Sequence, residues 1–370
     1  MKIGILTTYI LNDIFNGTYN AQDTGLAKAL SKMYNNVIIY RLTPISQRRM
    51  EGILPGYPDI TVHSIPSPSI MKYGVFYPKI LDSSLDVLVY FSDLQLMVPF
   101  IHTWCKKNDV LLIPYIGALI VSSSIFKKYF SIPQKLINTN IYKKHTCFAK
   151  TPYINDILTF LNIKSIIIAH VGLDMSLLNT TFNTADIETL KIKHGFLPED
   201  KIILFIGRME KYKQPLKMIE LFKKVLKQDP SYKLIMIGKG YLSNNVTKEI
   251  VENHLTESIR NITSIPNAEI WELYRISNSF INLNDKEIFG MAVLEAMYYN
   301  CKVIARSAPG PSYIIEDCIN GFLCNSDDEI ITAILSSHNF KNSPHKRVIK
   351  HFTWESTAKK IKEFSDANIL

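Results

Sequence analysis

The sequence predicts an α/β protein made of two successive doubly wound domains, each with a largely parallel sheet covered by helices. Short apolar runs alternate with helical stretches, and this alternation restarts midway along the chain. The length of 370 residues also exceeds what one ordinary core holds. Near-continuous apolar strands are typical of parallel sheets, because both faces are buried. A ligand is then expected at the carboxyl ends of the strands.

The first set of elements lies in residues 1–171, which we assign to an N-terminal Rossmann-like domain on the acceptor side. Strands are predicted at residues 2–7, 37–41, 86–91, 110–115, 147–150 and 165–169. Helices are predicted at residues 22–34, 94–107 and 154–162. Residues 43–77 are rich in Pro, Gly and Ser, and a long irregular loop is predicted there.

The second set lies in residues 172–370, the predicted C-terminal Rossmann-like domain, with the linker near residues 170–185. Its strands are predicted at residues 201–206, 233–237, 259–264, 280–283 and 302–305. Its helices are predicted at residues 215–227 and 291–300, and a last helix at about residues 354–370.

Composition argues against several classes of protein. Hydrophobic residues make up 47% of the chain and charged residues 20%, which favours a globular fold over disorder. The five Cys form no C-x-x-C pair, so neither a disulfide framework nor a zinc site is expected, and the predicted location is the reducing cytoplasm. The N-terminal residues lack the long apolar core of a signal peptide, and no apolar run approaches the roughly 20 residues of a membrane helix.

The strongest local signal is the segment from Glu287 to Glu295, Glu-Ile-Phe-Gly-Met-Ala-Val-Leu-Glu. Its Phe289-Gly290 pair follows a predicted strand and opens an apolar helix. Glycine allows close approach of a ligand to the backbone, and the free N–H groups at a helix start attract anions. Two carboxylates around such a site can bind sugar and ribose hydroxyls. The alternative is an acid at a helix N-terminus and an incidental buried polar residue.

A second signal is a pair of cations, Arg208 and Lys213, that follows the end of a strand at Gly207. Arginine binds phosphate oxygens bidentately, and lysine acts as a point charge. Fixed cations here would stabilise the negative charge that builds up as a nucleoside diphosphate leaves. The alternative is two exposed loop cations. The Gly-Lys-Gly triplet at residues 238–240 is a weaker signal, more typical of a tight turn.

Together these segments resemble the retaining glycosyltransferases of family 4, the group 1 glycosyltransferases, which have the GT-B architecture. The resemblance covers residues 201–323. It is carried by Asn-Asp-Lys-Glu-Ile-Phe-Gly at 284–290 with Glu-Ala-Met at 295–297, by the Gly-Arg pair and lysine above, by Asn-Cys-Lys-Val-Ile-Ala at 300–305 and by Asn-Gly-Phe-Leu at 320–323. Residues 149–154 and 170–174 are similar to the family's interdomain passage. Phe-Thr-Trp at 352–354 resembles the start of its terminal helix, which packs back on the first domain.

The resemblance implies transfer of a hexose-type sugar from a nucleoside-diphosphate sugar, expected to be a UDP-sugar, with retention of configuration by front-face attack. Arg208 and Lys213 would hold the donor diphosphate, and Glu287 would contact hydroxyls of the transferred sugar; these three are the expected catalytic residues. The remaining donor-binding residues would be Gly17 and Gly207 near the diphosphate, Ile265 and Pro266 beside the base, Phe289, Gly290 and Met291 through backbone groups, and Glu295 at the ribose.

No cofactor is expected, because the nucleotide sugar is a substrate. The chain has no Asp-x-Asp triplet, the pair that metal-dependent glycosyltransferases use. No metal site is therefore expected, since the two cations would do the electrostatic work.

The first half departs from the family pattern. Its loop after the first strand has Gly17 alone where the family has a glycine pair, and residues 113–117 contain no His where many members carry an active-site His. His102 and His170 lie elsewhere and are interpreted as surface or packing residues. A non-catalytic glycosyltransferase-like partner subunit therefore remains a second hypothesis. A nucleotide-sugar epimerase and a nucleic-acid-binding protein are less favoured.

The net charge of +9 favours an anionic partner or reflects a mild excess of solvated Lys. Basic and aromatic residues interleave at residues 126–130 and 141–145, which would suit contact with an anionic membrane leaflet or ordinary amphipathic helices. The expected partners are the nucleotide-sugar donor and a glycan, lipid-linked or glycoconjugate acceptor, without nucleic acid. The expected location is cytoplasmic, at the inner face of the membrane if that contact exists. Richness in Ile, Asn, Lys and Tyr favours a bacterial source.

Overall fold

The computed structural model describes residues 1–11, 21–70, 73–92, 95–117, 125–337, 340 and 342–369. The chain divides into two compact units. Unit 1 comprises Met1–Asp174 together with Thr353–Leu370, and unit 2 comprises Met175–Phe352. Among the described residues, no helix has the length and apolar character needed to cross a membrane.

Unit 1 is built on a largely parallel sheet with the strand order β10-β9-β8-β7-β1-β2-β4-β3. Its strands are β1 Ile3–Ile10, β2 Val37–Pro44, β3 Glu51–Leu54, β4 Tyr57–Ser67, β5 Ser69–Ile70, β6 Tyr73–Gly74, β7 Val87–Phe91, β8 Leu111–Ile116, β9 Cys147–Ala149 and β10 Ile166–Ile168. Its first helices are α1 Gln22–Ser31, α2 Val98–Lys107, α3 Ile125–Tyr142 and α4 Pro152–Phe160. The inner strands are buried throughout, as expected of a sheet covered on both faces.

Unit 2 is built on a parallel sheet with the order β13-β12-β11-β14-β15-β16. Its strands are β11 Lys201–Ile206, β12 Tyr232–Ile237, β13 Ile259–Ile262, β14 Ser279–Asn282, β15 Lys302–Arg306 and β16 Phe322–Cys324. Its helices are α5 Ile187–Lys193, α6 Pro215–Gln228, α7 Ser243–Glu252, α8 Ile270–Ile276, α9 Met291–Tyr298, α10 Pro309–Ile314, α11 Asp327–Leu335 and α12 Pro344–His351. The predicted two sets of βα units with parallel sheets are confirmed.

The last helix, α13 Trp354–Ile369, belongs to unit 1 and packs against α1. Its first residue, Trp354, is buried, and a Cβ atom at Gly25 would overlap the indole nitrogen of that side chain. Thr357 also donates a hydrogen bond from its hydroxyl to the carbonyl of His170 (2.6 Å). The Trp354 side chain at the start of α13 therefore packs on α1 at Gly25, where α1 has no side chain.

The prediction of an irregular loop over residues 43–77 is wrong. Residues in this range form β4, which pairs in parallel with β2 over eight positions, and β3, which pairs antiparallel with β4. The turn between them contains Gly56 at φ +80°, and Ile60 and Val62 are buried. The alternation of apolar residues along β4 is typical of a strand, and it predicts this structure better than the Pro and Gly content, which favoured a loop.

Candidate functional site

The predicted donor site lies at the carboxyl edge of the unit 2 sheet. Three neighbouring strands, β12, β11 and β14, end there, and their exit loops carry residues 238–240, 207–214 and 283–290. Parallel strands bring these loops to one edge, which is where ligands bind in doubly wound sheets.

Two of these loops touch through their backbones. Gly238 has φ +140°, and a Cβ atom there would overlap the carbonyl oxygen of Gly207. The amide of Met209 donates to the carbonyl of Lys239 (3.2 Å). The Gly-Lys-Gly triplet is therefore best explained by contact with the Gly207 loop, because only glycine fits both the backbone angle and the space.

Lys213 and Glu287 form an ion pair at the centre of this edge. Their side chains are only 21% and 17% exposed. The same carboxylate oxygen, Oε2 of Glu287, accepts a hydrogen bond from Nδ2 of Asn284 (3.1 Å). The two residues are far apart in sequence, so the fold itself brings together the predicted phosphate cation and the predicted sugar-binding acid.

The local backbone explains why Lys213 reaches this point. Residues Lys211–Lys213 form a 3-10 turn, and Gln214 follows in the left-handed region at φ +58°. The side-chain amide of Gln214 donates to the carbonyl of Leu283 (2.8 Å), just after β14. The turn is thus fixed to the exit of the neighbouring strand, and Pro215 then begins α6.

Arg208 stands at the open side of the site. Its side chain is 69% exposed, and its Nη1 atom lies 3.5 Å from the carboxylate of Glu210. Its guanidinium carbon lies 5.4 Å from the centre of the Tyr212 ring, and the ammonium of Lys213 lies 5.5 Å from the same ring. Burial raises the pKa of Tyr212 above its usual value, so this ring remains neutral beside the two cations. Tyr212 thus contacts both predicted cations, and the sequence analysis did not single it out, although its position between them in the sequence was a signal.

The turn before α9 is clamped by the start of α10. Gly290 is the N-cap of α9 at φ +104°. The amide of Gly310 donates to the carbonyl of Glu287 (2.7 Å), and a Cβ atom at Gly310 would overlap the backbone of Phe289. Phe289 and Met291 are half-buried. The backbone groups predicted to approach the sugar and phosphate thus lie in a turn that is held by the start of α10.

Glu295 is deeply buried on α9, with 5% of its surface exposed. Its Oε2 atom accepts a hydrogen bond from the hydroxyl of Tyr274 on α8 (2.9 Å). Tyr274 in turn stacks on Tyr299 with ring centres 5.6 Å apart. Tyr274 was not singled out from sequence, because its partner lies 21 residues away on another helix. The contact orients the carboxylate that was predicted to bind the ribose.

The other predicted residues are placed with less detail. Ile265 is half-buried and Pro266 exposed in the loop between β13 and α8, and Gly17 lies outside the described residues. Residues 113–117 include the end of β8. His102 contacts His145 (Nδ1 to Nε2, 2.8 Å), and His170 is buried beside Ser356, as expected of packing residues. In the described part of the chain, no group of three or more His, Cys, Asp or Glu is arranged to hold a metal ion.

Known proteins are similar to this chain in sequence. Residues 186–351 match the family model of glycosyl transferases group 1. Alpha-monoglucosyldiacylglycerol synthase of Acholeplasma laidlawii is 24% identical over 156 residues, which are 42% of this chain and 39% of that protein. N-acetyl-alpha-D-glucosaminyl L-malate synthase of Bacillus anthracis is 23% identical over 295 residues, 74% of this chain and 72% of that protein. The chain thus spans about two fifths of the first relative's length.

Solved structures show the same fold. The crystal structure of Anabaena HepE in complex with UDP-glucose superposes with a TM-score of 0.73 and 14% identity, covering 99% of this chain and 100% of that one. Sucrose-phosphate synthase from Thermosynechococcus elongatus gives a TM-score of 0.75 at 14% identity, covering 99% and 98%. The chain therefore has the GT-B fold, and its residues 186–351 are similar to the group 1 glycosyl transferases.

Proposed function

We propose that this chain is a glycosyltransferase that moves a hexose-type sugar from a nucleoside-diphosphate sugar, with UDP as the expected nucleotide, to a glycan, glycolipid or glycoconjugate acceptor. The observation that carries this proposal is the Lys213–Glu287 ion pair at the carboxyl edge of the unit 2 sheet. Two comparisons support the choice of substrates: HepE binds UDP-glucose, and one relative is named as the synthase of a glucosylated diacylglycerol.

In the proposed mechanism, Arg208 and Lys213 bind the donor diphosphate and stabilise the charge that develops as it leaves. Glu287, held by Lys213 and Asn284, accepts hydrogen bonds from hydroxyls of the transferred sugar. The turn at Gly290 presents backbone N–H groups at the start of α9 to anionic oxygens. Glu295, oriented by Tyr274, binds the ribose. Transfer retains the anomeric configuration, and the two cations supply the positive charge without a metal ion.

The proposal is tested by a thermal-shift screen of the protein against UDP, GDP, ADP, TDP and CMP without added metal. A ligand that binds only the folded state at about 100 times its Kd stabilises it by about 2.7 kcal/mol. We expect one nucleoside diphosphate to raise the Tm, and we expect Arg208→Ala to remove that shift. Transfer from the matching sugar conjugate should then proceed in EDTA. No shift with any nucleotide would favour the non-catalytic partner subunit instead.

We further propose that unit 1 makes peripheral contact with an anionic membrane through α2 and α3. The polarity of α3 is unusual: Gln134 and Asn138 face inward and donate to the carbonyl of Gln95 (3.1 Å each), while Leu136 and Ile137 are exposed. The lysines that end or follow these two helices are also exposed; they are Lys106, Lys107, Lys143 and Lys144. Exposed apolar residues next to lysines suit a surface of anionic headgroups.

Liposome flotation tests this contact. We expect the protein to float with anionic vesicles more than with neutral ones, and Leu136→Ser with Ile137→Ser to reduce that difference. Phe160→Ser is the matched control, because Phe160 is highly exposed on α4 rather than on α3. Equal recovery with both kinds of vesicle would remove the membrane contact from the proposal.

A further inference from the structure

The unit 1 sheet also has a carboxyl edge at which its parallel strands end. In this sheet, β2 and β4 lie on one side of β1, and β7 and β8 lie on the other side. The strand order therefore reverses at β1. Thr7 is in register with Phe91, and Phe91 with Tyr115. Ligands of doubly wound sheets bind beside such a reversal.

Lys150 directly follows β9 at this edge and is held by neighbours from three elements. Its ammonium donates to Oε1 of Gln22 (2.9 Å) at the start of α1. The same ammonium lies 4.7 Å from the centre of the Phe91 ring and 4.9 Å from that of Tyr115. These rings, which meet edge to face with centres 5.0 Å apart, attract a cation through their faces. The charge therefore has a defined position.

Gly117 gives the lysine its room. A Cβ atom at this position would lie 2.7 Å from Cδ of Lys150, closer than such atoms approach each other. Because Gly117 has no side chain, the Lys150 side chain can lie across the end of β8. A larger residue would force the Lys150 side chain to shift from this position.

Two hydroxyl groups at the same edge lack a hydrogen-bond partner. Ser92 follows β7 and is fully buried, and neither its Oγ atom nor the buried Oγ1 atom of Thr7 on β1 has a partner within the described part of the chain. Buried polar atoms are nearly always paired, so each exception needs an explanation. A bound ligand with acceptor oxygens would satisfy both.

We propose that Lys150, with the hydroxyls of Thr7 and Ser92, binds an anionic group of the acceptor, either a phosphate or a carboxylate. The ammonium supplies the charge and the hydroxyls supply neutral donors at the strand ends. The assignment to the acceptor rests on the proposed function, in which Arg208 and Lys213 of unit 2 hold the donor diphosphate. Lys150 is then a residue that selects acceptors by charge.

The test measures how fast an amine-reactive reagent modifies Lys150 in the unaltered full chain, read by mass spectrometry. We expect inorganic phosphate or acetate at about nine times its Kd to slow that modification about tenfold by mass action. Lys79 is the matched control, because it also lies over a tyrosine ring of unit 1 (Tyr77, 5.5 Å) but is exposed. Modification of Lys79 should not change. An unchanged rate at Lys150 with both anions would overturn the proposal.

Saturating UDP distinguishes an acceptor anion from the donor diphosphate as the group that Lys150 binds. If phosphate still protects Lys150 when UDP is bound, the site is distinct from the donor diphosphate, as proposed. If UDP alone protects Lys150 and Arg208→Ala abolishes that protection, the lysine serves the donor and the acceptor assignment is wrong. Nucleotide binding itself tests the proposed function, so the two ideas fail separately.

Ser92→Ala provides a second measurement. Because the hydroxyl has no protein partner among the described residues, we expect its removal to leave the Tm nearly unchanged while weakening protection of Lys150 by the anion. Full protection in this variant, together with a clear loss of stability, would show that the hydroxyl has a structural role only and would contradict its place in the site.

Discussion

At the scale of single residues, the proposed function depends on a cation and an acid that form an ion pair in the absence of a ligand. Lys213 and Glu287 are both largely buried, and Asn284 and Gln214 fix their positions. A preorganised charge of this kind stabilises a leaving group without reorganisation at the moment of reaction. The pair is therefore the part of the site whose removal is most informative.

We expect Lys213→Ala to lower the transfer rate by about 100- to 1000-fold, because a fixed donor to the developing charge is lost. The fold should stay intact, but the Tm should fall, because the largely buried Glu287 loses its cationic partner. The control is Lys217→Ala, one turn along α6, where the lysine pairs with Asp327 (2.6 Å) and Glu220. That variant should keep normal turnover. Near-full turnover in Lys213→Ala would contradict the diphosphate assignment.

A second residue-scale prediction concerns the buried carboxylate of Glu295. Tyr274→Phe removes one hydrogen bond to it, and bonds to charged groups contribute about 1.5–3 kcal/mol. Tyr232→Phe is the matched control, because that hydroxyl donates to a neutral carbonyl, that of Ile334 (3.1 Å), and such a bond contributes about 0.5–1.5 kcal/mol. Urea unfolding of both variants measures the difference. Equal losses would mean that the bond from Tyr274 to Glu295 is no stronger than a bond to a neutral carbonyl.

At the scale of elements, the contact between α1 and α13 determines how the last helix joins unit 1. Trp354 fills the space above Gly25, and Gly172 also lies against the backbone at Trp354. The packing is closed at both glycines, so neither position has room for a methyl group. Surface pairs such as Lys32 with Glu355 lie across the same two helices but remain exposed.

We expect Gly25→Ala to reduce the free energy of unfolding by about 1–3 kcal/mol, because an added methyl group overpacks the contact with Trp354. Lys32→Ala, which removes an exposed ion pair across the same helices, should cost about 0–1 kcal/mol. Denaturant unfolding followed by tryptophan fluorescence measures both. A loss in Gly25→Ala no larger than in Lys32→Ala would show that α13 moves without cost.

The sequence predicted the strands β11 to β15 of unit 2 closely, for a physical reason, whereas helices such as α7, α8 and α11 were not among the predicted elements. The strand predicted at residues 201–206 is β11, since a buried parallel strand is a continuous apolar run between polar ends. The failure over residues 43–77 came from reading Pro and Gly as a loop when β2 and β3 supply pairing partners. Contacts between distant side chains, such as Tyr274 with Glu295, leave no trace in local pattern.

At the scale of the whole molecule, the buried ionisable groups set how stability depends on pH. Burial, together with the neighbouring His102 and Lys144, lowers the pKa of His145 to about 4. The folded protein thus binds fewer protons than the unfolded chain between the ordinary histidine pKa of about 6.5 and pH 4. The contribution of the neutral His145 to the free energy of unfolding is present above pH 6.5 and is lost as the pH falls from 6.5 to 4.

We therefore expect the free energy of unfolding to decrease from pH 7 to pH 4, and His145→Asn to make that decrease smaller. Burial also lowers the pKa of His102, so the variant reduces the decrease without abolishing it. Urea unfolding at a series of pH values checks the prediction. An equal or steeper decrease in the variant would show that another group controls the acid side.

The chain leaves unit 1 at Asp174 and returns to it at Thr353, with all of unit 2 between. During synthesis the ribosome therefore makes the whole second unit before it makes α13. Until then the space above Gly25 and the backbone of Gly172, which Trp354 later covers, stays exposed in the nascent chain. Unit 2 is continuous in sequence and can complete its fold first, so unit 1, whose first strands are synthesised earliest, is the unit that finishes folding last.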